Sequence, residues 1–496
     1  MDRRTPPDQN ADTGTVGLER GSGADACAQS PTAGGKIVAL GRVFVRTVRH
    51  FAPGFNAELD RLPDTRFEPM ICYHKRFLAW WGLLLFCFKL GSRRQLDYQM
   101  RDLELSILEN VNRLAGTAQE TLPVHKTLNH FLGHVGAAAF AALRTWLVRR
   151  LIRMRALDAC RLLGKFVIAV DGTGFLHFHH PHCAHCLTQT RANGTLYLHP
   201  VLEAKLVHTS GLALSVGTEF IENPWAERHD HPSQPPTLDD YEKIKQDCEL
   251  KALARLAPVL KRDFPQTPLC ISGDSLLACG PVLCLCEQHR WSYVLTFKAG
   301  RTPALWADFQ GLLKLAPENR HRVTLPDGTR QQYRWVNGLD YLDSEGHAHR
   351  FNAILCVETA PDGQTTTFAW ITDLEVNEHT LTAIAEQGGR NRWKIENQGF
   401  NTQKNSGLNL THAYSIAPEN LKAFYYLLQC AHIFLQLFES GSLLLHLAQR
   451  YGQPTARQLF GSLANIAQFL RDSFRYWRLP DEVFDPHPGQ IRLNTS

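Results

Sequence analysis

The chain has 496 residues, 44% of them hydrophobic and 20% charged, with a formal net charge of +5. That apolar content is enough to bury a large core, which excludes disordered and fibrous classes, and the length predicts two to four domains. So small a net charge carries no argument for a polyanionic partner, which must rest on local clustering, and thirteen cysteines without a secretion signal fit a reducing compartment, the cytoplasm, with thiols buried or metal-bound.

Residues 1–36 are rich in Gly, Ala, Asp, Thr and Pro and read as a disordered tail, with no apolar segment after the early arginines to make a presequence. From 37 to 160 the periodicity is helical. Its most apolar run, Phe77 to Phe88 (FLAWWGLLLFCF), is too short to cross a hydrocarbon layer of roughly 30 Å as a helix, so it predicts a buried core helix and no membrane partner. The segment Gln119-Glu-Thr-Leu-Pro-Val-His-Lys-Thr-Leu-Asn-His-Phe-Leu predicts a short helix after a turn, as in a DNA-positioning domain or an ordinary helical module. Between Arg144 and Arg161 six arginines fall within 18 residues, Arg149 and Arg153 among them, interleaved with Trp146, Leu147, Leu151 and Ile152. This is an amphipathic basic helix, either a solvated face or a surface for nucleic-acid phosphates.

At Lys165 the pattern changes to strands: Phe166 to Val170, Thr195 to His208 and Leu212 to Glu222, followed by a helical stretch from Asp240 to Phe264 and a strand ending at Asp274. A helix (Pro281 to His289) and a strand (Ser292 to Lys298) come next. A three-strand meander followed by helix and strand sets the ends of the first and fourth strands side by side. From Lys298 to Asn377 the sequence favours strands and turns, with Pro326-Asp-Gly and Pro361-Asp-Gly between alternating runs as hairpin signals. After His379 the chain returns to helix through Glu396, then Leu421 to Phe438 and Thr455 to Trp477. The fold class expected is α/β, a mixed sheet with helices interrupted by a β-rich insertion. The divisions are 1–36 tail, 37–160 helical DNA-binding region, 161–299 first part of the core, 300–378 insertion, 379–415 second part of the core, and 416–496 helical C-terminal region.

Asp171 ends one short apolar run, in Val170-Asp-Gly-Thr, and Asp274 another, in Gly273-Asp-Ser; Glu396 lies far downstream in Arg392-Trp-Lys-Ile-Glu-Asn-Gln-Gly-Phe-Asn-Thr-Gln-Lys404. A carboxylate at the end of a buried strand faces solvent from a rigid base, as binding a hard divalent cation requires. Taken with the Lys245-Gln-Asp-Cys-Glu-Leu-Lys-Ala helix and Tyr293-Val-Leu-Thr-Phe-Lys, these segments resemble the DDE transposases of bacterial insertion sequences, in the large group whose ribonuclease-H-like core carries a β-strand insertion before the glutamate. The resemblance covers roughly residues 160 to 415. It implies strand cleavage and transfer at terminal inverted repeats of double-stranded DNA, target DNA as a second partner, a homodimer on paired ends, and Asp171, Asp274 and Glu396 as catalytic and metal-holding residues for two Mg²⁺ (or Mn²⁺) ions; two such ions require a bridging ligand, for which Asp171, at the end of its strand, is the choice. The chemistry agrees: phosphodiester cleavage needs one metal to activate the attacking oxygen and one to neutralise the leaving oxygen.

The family signature around the glutamate is Tyr-x2-Arg-x3-Glu-x6-Lys. Arg392 fits it, four residues before Glu396, placed to hold the carboxylate or grip a phosphate. The tyrosine position holds Gly389, and seven residues after the glutamate stands Gln403, with Lys404 one step later. At 100° per residue that step carries Lys404 off the glutamate's face unless Gly399 ends or distorts the helix. Trp370 resembles the position where relatives stack an unpaired base, against the plainer reading of a core tryptophan, and Lys298 is a further candidate phosphate contact, against a solvated edge-strand lysine. Cys183-x2-Cys186 has zinc-ligand spacing inside a cluster with His179, His180, His182 and His185, so a structural Zn²⁺ there competes with a plain polar loop. A stand-alone metal-dependent nuclease would use the same three acids, and a binding-only relative acting as a repressor would be expected to have lost one; all three are present.

Overall fold

The unbroken apolar run Phe166–Val170 requires a strand covered on both sides, and the computed structural model places it inside a large mixed, mostly antiparallel sheet flanked by helices, with all five residues buried. The structure describes residues 33–100, 104–183, 185–192, 194–223, 247–485 and 489–494. The expected tail therefore lies outside the described residues up to position 32, and a helix, Ala33–Phe51, already begins within its last four positions. Residues 240–246 of the expected Asp240 to Phe264 helix also lie outside.

The strands in chain order are β1 (Arg161–Leu162), β2 (Lys165–Phe178), β3 (Leu187–Arg191), β4 (Gly194–Val207), β5 (Ala213–Phe220), β6 (Leu269–Gly273), β7 (Ser292–Thr296), β8 (Arg320–Thr324), β9 (Arg330–Leu342), β10 (Ala348–Thr359) and β11 (Thr365–Thr372). Across the sheet they run β3-β4-β2-β6-β7-β11-β10-β9-β8, with β5 on the second edge of β4 and β1 on β2. Strands β2, β6 and β7 are mutually parallel, and the connection from β5 to β6 passes through the helix Glu249–Asp263, as parallel pairing demands a crossover. The register pairs Ala169 with Ser272. Extending it by two residues sets Asp171 level with Asp274.

The insertion is part of the same sheet. Its last strand, β11, pairs antiparallel with β7 (Ile371 opposite Leu295), and both Pro-Asp-Gly segments form the hairpin turns, with Gly328 and Gly363 at φ 86°. The helix Pro303–Leu315 precedes it where the sequence reads as strands and turns; Pro303 at the first helical position and the apolar spacing Leu305, Phe309, Leu313 account for it.

Two helical layers close the sheet. Between Phe166 and Val170 the even-numbered residues of β2 join the main core with the helices Ala137–Arg153 and Glu249–Asp263, while Val167 and Ala169 face Ile384, Ile395 and Phe400 of the helical run 381–405. The Phe77 to Phe88 run forms the helix Lys75–Cys87 and is buried throughout; it packs on Pro418–Ser440, the long C-terminal helix. No single helix among the described residues is long and apolar enough to cross a membrane.

The basic helix departs from expectation. It ends at Arg153, and Arg155 turns left-handed at φ 57°. Arg144 is buried, donating to Thr218 Oγ1 at 2.8 Å over the ring of Tyr426, so its charge serves the core and not a surface. Arg149 is half-buried and Arg153 exposed at the helix end.

Candidate active site

The carboxylates converge from three separate parts of the chain. Asp171 follows the buried run Phe166–Val170 inside β2, which continues to Phe178, so it lies mid-strand and not at a strand end, with 19% of its side chain exposed. Asp274 follows β6 directly, and the amide of Leu276 donates to its Oδ1 at 2.9 Å, fixing the turn. Glu396 rides on the run 381–405, which is held against the sheet end where Ser272 Oγ donates to the carbonyl of Gly388 at 2.7 Å.

Arg392 links the two sides. Its Nη1 donates to Glu396 Oε1 at 2.7 Å and to Asp171 Oδ2 at 3.4 Å, so one guanidinium offsets two carboxylates. Asp171, Asp274 and Glu396 nevertheless do not offer oxygens all within 4.8 Å of one another. The three lie at the C-terminal end of β6 without forming a one-ion cage.

A fourth acid, Glu249, enters from the opposite face. A Cβ on Gly172 would lie 2.0 Å from Glu249 Oε1, so the glycine beside Asp171 leaves the space that this carboxylate occupies. Burial raises the Asp171 carboxyl to about 7, with Glu396, Glu249 and Asp274 adding to the rise and Arg392 opposing it; burial and the neighbouring Asp274 push Glu249 up as well. The acidic first-turn position of a helix and the glycine after Asp171 are the sequence signals by which Glu249 was findable.

Lys404 reaches the same strand. Its Nζ donates to Thr173 Oγ1 at 2.6 Å, and burial pushes the ammonium down from the ordinary lysine range. Gln403, by contrast, is buried and donates to Gln429 Oε1 at 2.7 Å. The reason is that residues Ile395–Asn401 are π-helical, and the wider turn absorbs one extra residue. The lysine one step late thus still points at β2.

One expectation is corrected. Trp370 is 3% exposed, stacked on Phe368 with ring centroids 6.0 Å apart and pressed under Gly389; its ring is closed to an incoming base. The exposed aromatic beside Arg392 is instead Trp393, 52% exposed with the guanidinium over its ring at 5.2 Å, adjacent in sequence to a residue already singled out. Arg149 and Arg153 are tied to none of the acids by any hydrogen bond or ion pair among the described residues. Lys298 is exposed just beyond β7, whose parallel course with β2 and β6 brings it out on the same edge as Asp171 and Asp274.

Beside this edge lies a cleft of about 690 Å³, lined among others by Gly174, His177, Arg191, Thr195 and Lys404. No protein-family model matches the chain, and no curated protein matches it.

Proposed function

We propose that the chain is a DDE-type DNA transposase, cleaving and joining double-stranded DNA at the terminal inverted repeats of an insertion sequence. The observation that carries the reading is the convergence of Asp171, Asp274 and Glu396 at the C-terminal end of β6 with Arg392 bonded to two of them. The strand order β5-β4-β2-β6-β7, antiparallel on one side of β2 and parallel on the other, supports a ribonuclease-H-like core, into which β8 to β11 are inserted before the glutamate.

The donor set suits Mg²⁺ or Mn²⁺: the candidate ligands are carboxylate oxygens, and burial together with the neighbouring carboxylates lifts Asp171, a cost that a divalent cation would relieve. Asp171, Asp274 and Glu396 would hold the metal, which when bound supplies an activated water or 3′-hydroxyl and neutralises the leaving oxygen. Arg392 orients Glu396 and restrains Asp171. Lys404 and Lys298 supply positive charge for DNA phosphates along the cleft edge, and Trp393 offers an exposed face for a base. Joining paired ends calls for at least a homodimer.

The test is Mg²⁺-dependent cleavage of duplex DNA carrying the flanking inverted repeats, native chain against Asp171→Ala, Asp274→Ala and Glu396→Ala. Cleavage at the repeat ends by the native chain alone is expected. Cutting by Glu396→Ala at the native rate, or cutting without regard to the repeats, would overturn the reading.

A further inference from the structure

The turn between β2 and β3 and the facing strand β4 bring four soft donors together away from the acids. Cys183 and Cys186 Sγ are 3.9 Å apart, Cys183 Sγ is 3.8 Å from His199 Nε2, and Cys186 Sγ is 3.3 Å from the same nitrogen. With a ring nitrogen of His182, all four donor atoms lie within 4.8 Å of one another. Zinc bonds of about 2.3 Å to sulfur and about 2.0 Å to nitrogen give tetrahedral edges of roughly 3.3–3.8 Å. The observed separations match that frame, whereas a disulfide needs sulfurs about 2.05 Å apart.

Two further observations favour a metal over a polar loop. His182 Nδ1 is buried with no hydrogen-bond partner among the described residues, a cost that a metal–ligand bond would remove. The surroundings hold the donors in place: the His182 ring stacks on Phe178 at 4.4 Å and meets His199 edge-on at 5.3 Å, and Asn223 Nδ2 donates to the carbonyl of Cys186 at 2.9 Å. His177, His179 and His180 stay exposed outside the cluster, so the histidine-rich composition does not itself explain which two converge.

We infer that His182, Cys183, Cys186 and His199 form a structural zinc site that pins the β2–β3 turn onto β4. The inference goes beyond the proposed activity and does not depend on it. Two thiolates and two imidazoles in a closed, half-buried set select Zn²⁺ over the hard cations suited to the carboxylates, and four protein ligands leave no open position for catalysis. The pinned turn and β3 lead into Arg191, Gly194 and Thr195, which line the cleft beside Lys404, so the metal would hold one wall of that cleft.

The experiment is elemental analysis of the full-length chain, purified without chelator or histidine tag, with visible spectroscopy after exchange to Co²⁺. One zinc per chain is expected, and the Co²⁺ form should show intense tetrahedral d–d bands with thiolate charge transfer. Cys183→Ser with Cys186→Ser, and separately His199→Ala, should lose the zinc, while Cys284→Ser, at a thiol that lies against His349 and not against the four ligands, and Asp171→Ala should keep it. The Co²⁺ spectrum of the native chain decides the matter even where a ligand variant fails to fold. Zinc well below one per chain, a weak octahedral Co²⁺ spectrum, or full zinc retention in the double cysteine variant would overturn the site.

Discussion

The ammonium of Lys404 donates to the hydroxyl of Thr173 at 2.6 Å, two residues beyond Asp171 on the same strand. A lysine eight residues after Glu396 would fall about 100° away from one seven residues after it on a regular helix, and the π-helical stretch Ile395–Asn401 removes that offset. Lys404→Ala is expected to weaken binding of repeat-end DNA by about tenfold and to lower the salt dependence by about one phosphate equivalent. Lys404→Arg should restore part of the affinity. Titration of the DNA at several salt concentrations checks this, and an unchanged salt slope would remove Lys404 from the phosphate path.

The raised Asp171 carboxyl makes stability depend on pH. Its folded value, about 7, lies above the ordinary 3.8, so the folded chain holds a proton that the unfolded chain has released. Stability therefore falls as pH rises from about 4 to about 7, by an amount on the order of 2–4 kcal/mol. Asp171→Asn cannot ionise and escapes that loss. In EDTA its Tm should exceed the native Tm at pH 8, with the gap closing toward pH 5, and Mg²⁺ should narrow the gap at pH 8 by stabilising the native chain alone. Melts at the two pH values read this directly.

Glu249 and Gly172 form one device. The carboxylate occupies the space a Cβ on Gly172 would need, and its charge is one of those lifting Asp171. Glu249→Gln removes the charge, so the acid limb of the cleavage pH profile should move to lower pH. Gly172→Ala should displace the same carboxylate and lower the cleavage rate by about tenfold, and its effect should largely disappear in a Glu249→Ala background, since the two changes act through one contact. Additive losses in the double variant would show that Gly172 matters for another reason.

Much of this arrangement was legible from local pattern. The apolar runs ending in Asp171 and Asp274, the Pro-Asp-Gly turns and the buried Phe77 to Phe88 helix follow from periodicity and turn chemistry acting within a few residues. The misses are tertiary. His199 lies 13 residues from Cys186 and meets it because β3 folds back on β4, a register that pairs Leu187 with Leu198. Arg144 reads as surface charge until β5 supplies Thr218 as its partner. The phase of Lys404 depends on a π-helical turn, to which helix periodicity is blind. Trp370 depends on what packs over it, which no single strand discloses.

That packing explains why Gly389 stands where the resembled family carries tyrosine. A Cβ at Gly389 would meet Trp370 Cε2 and Nε1 at 2.4 Å, and the indole has nowhere to go, being buried between Phe368 and the run 381–405 with Ile384 and Ala385 in the same cluster. The helix must approach the sheet this closely, because Arg392, three residues on, has to reach Asp171. Gly389→Ala is therefore expected to cost about 1–3 kcal/mol as an overpacking strain, lowering the denaturant midpoint with the slope unchanged. Trp370→Leu would cost stability by itself through the cavity it leaves, yet adding Gly389→Ala to it should cost little more, because the opposing ring is gone. Should Gly389→Ala instead leave the midpoint unchanged, the helix has room to lift from Trp370, and the reach of Arg392 to Asp171 would not depend on this glycine.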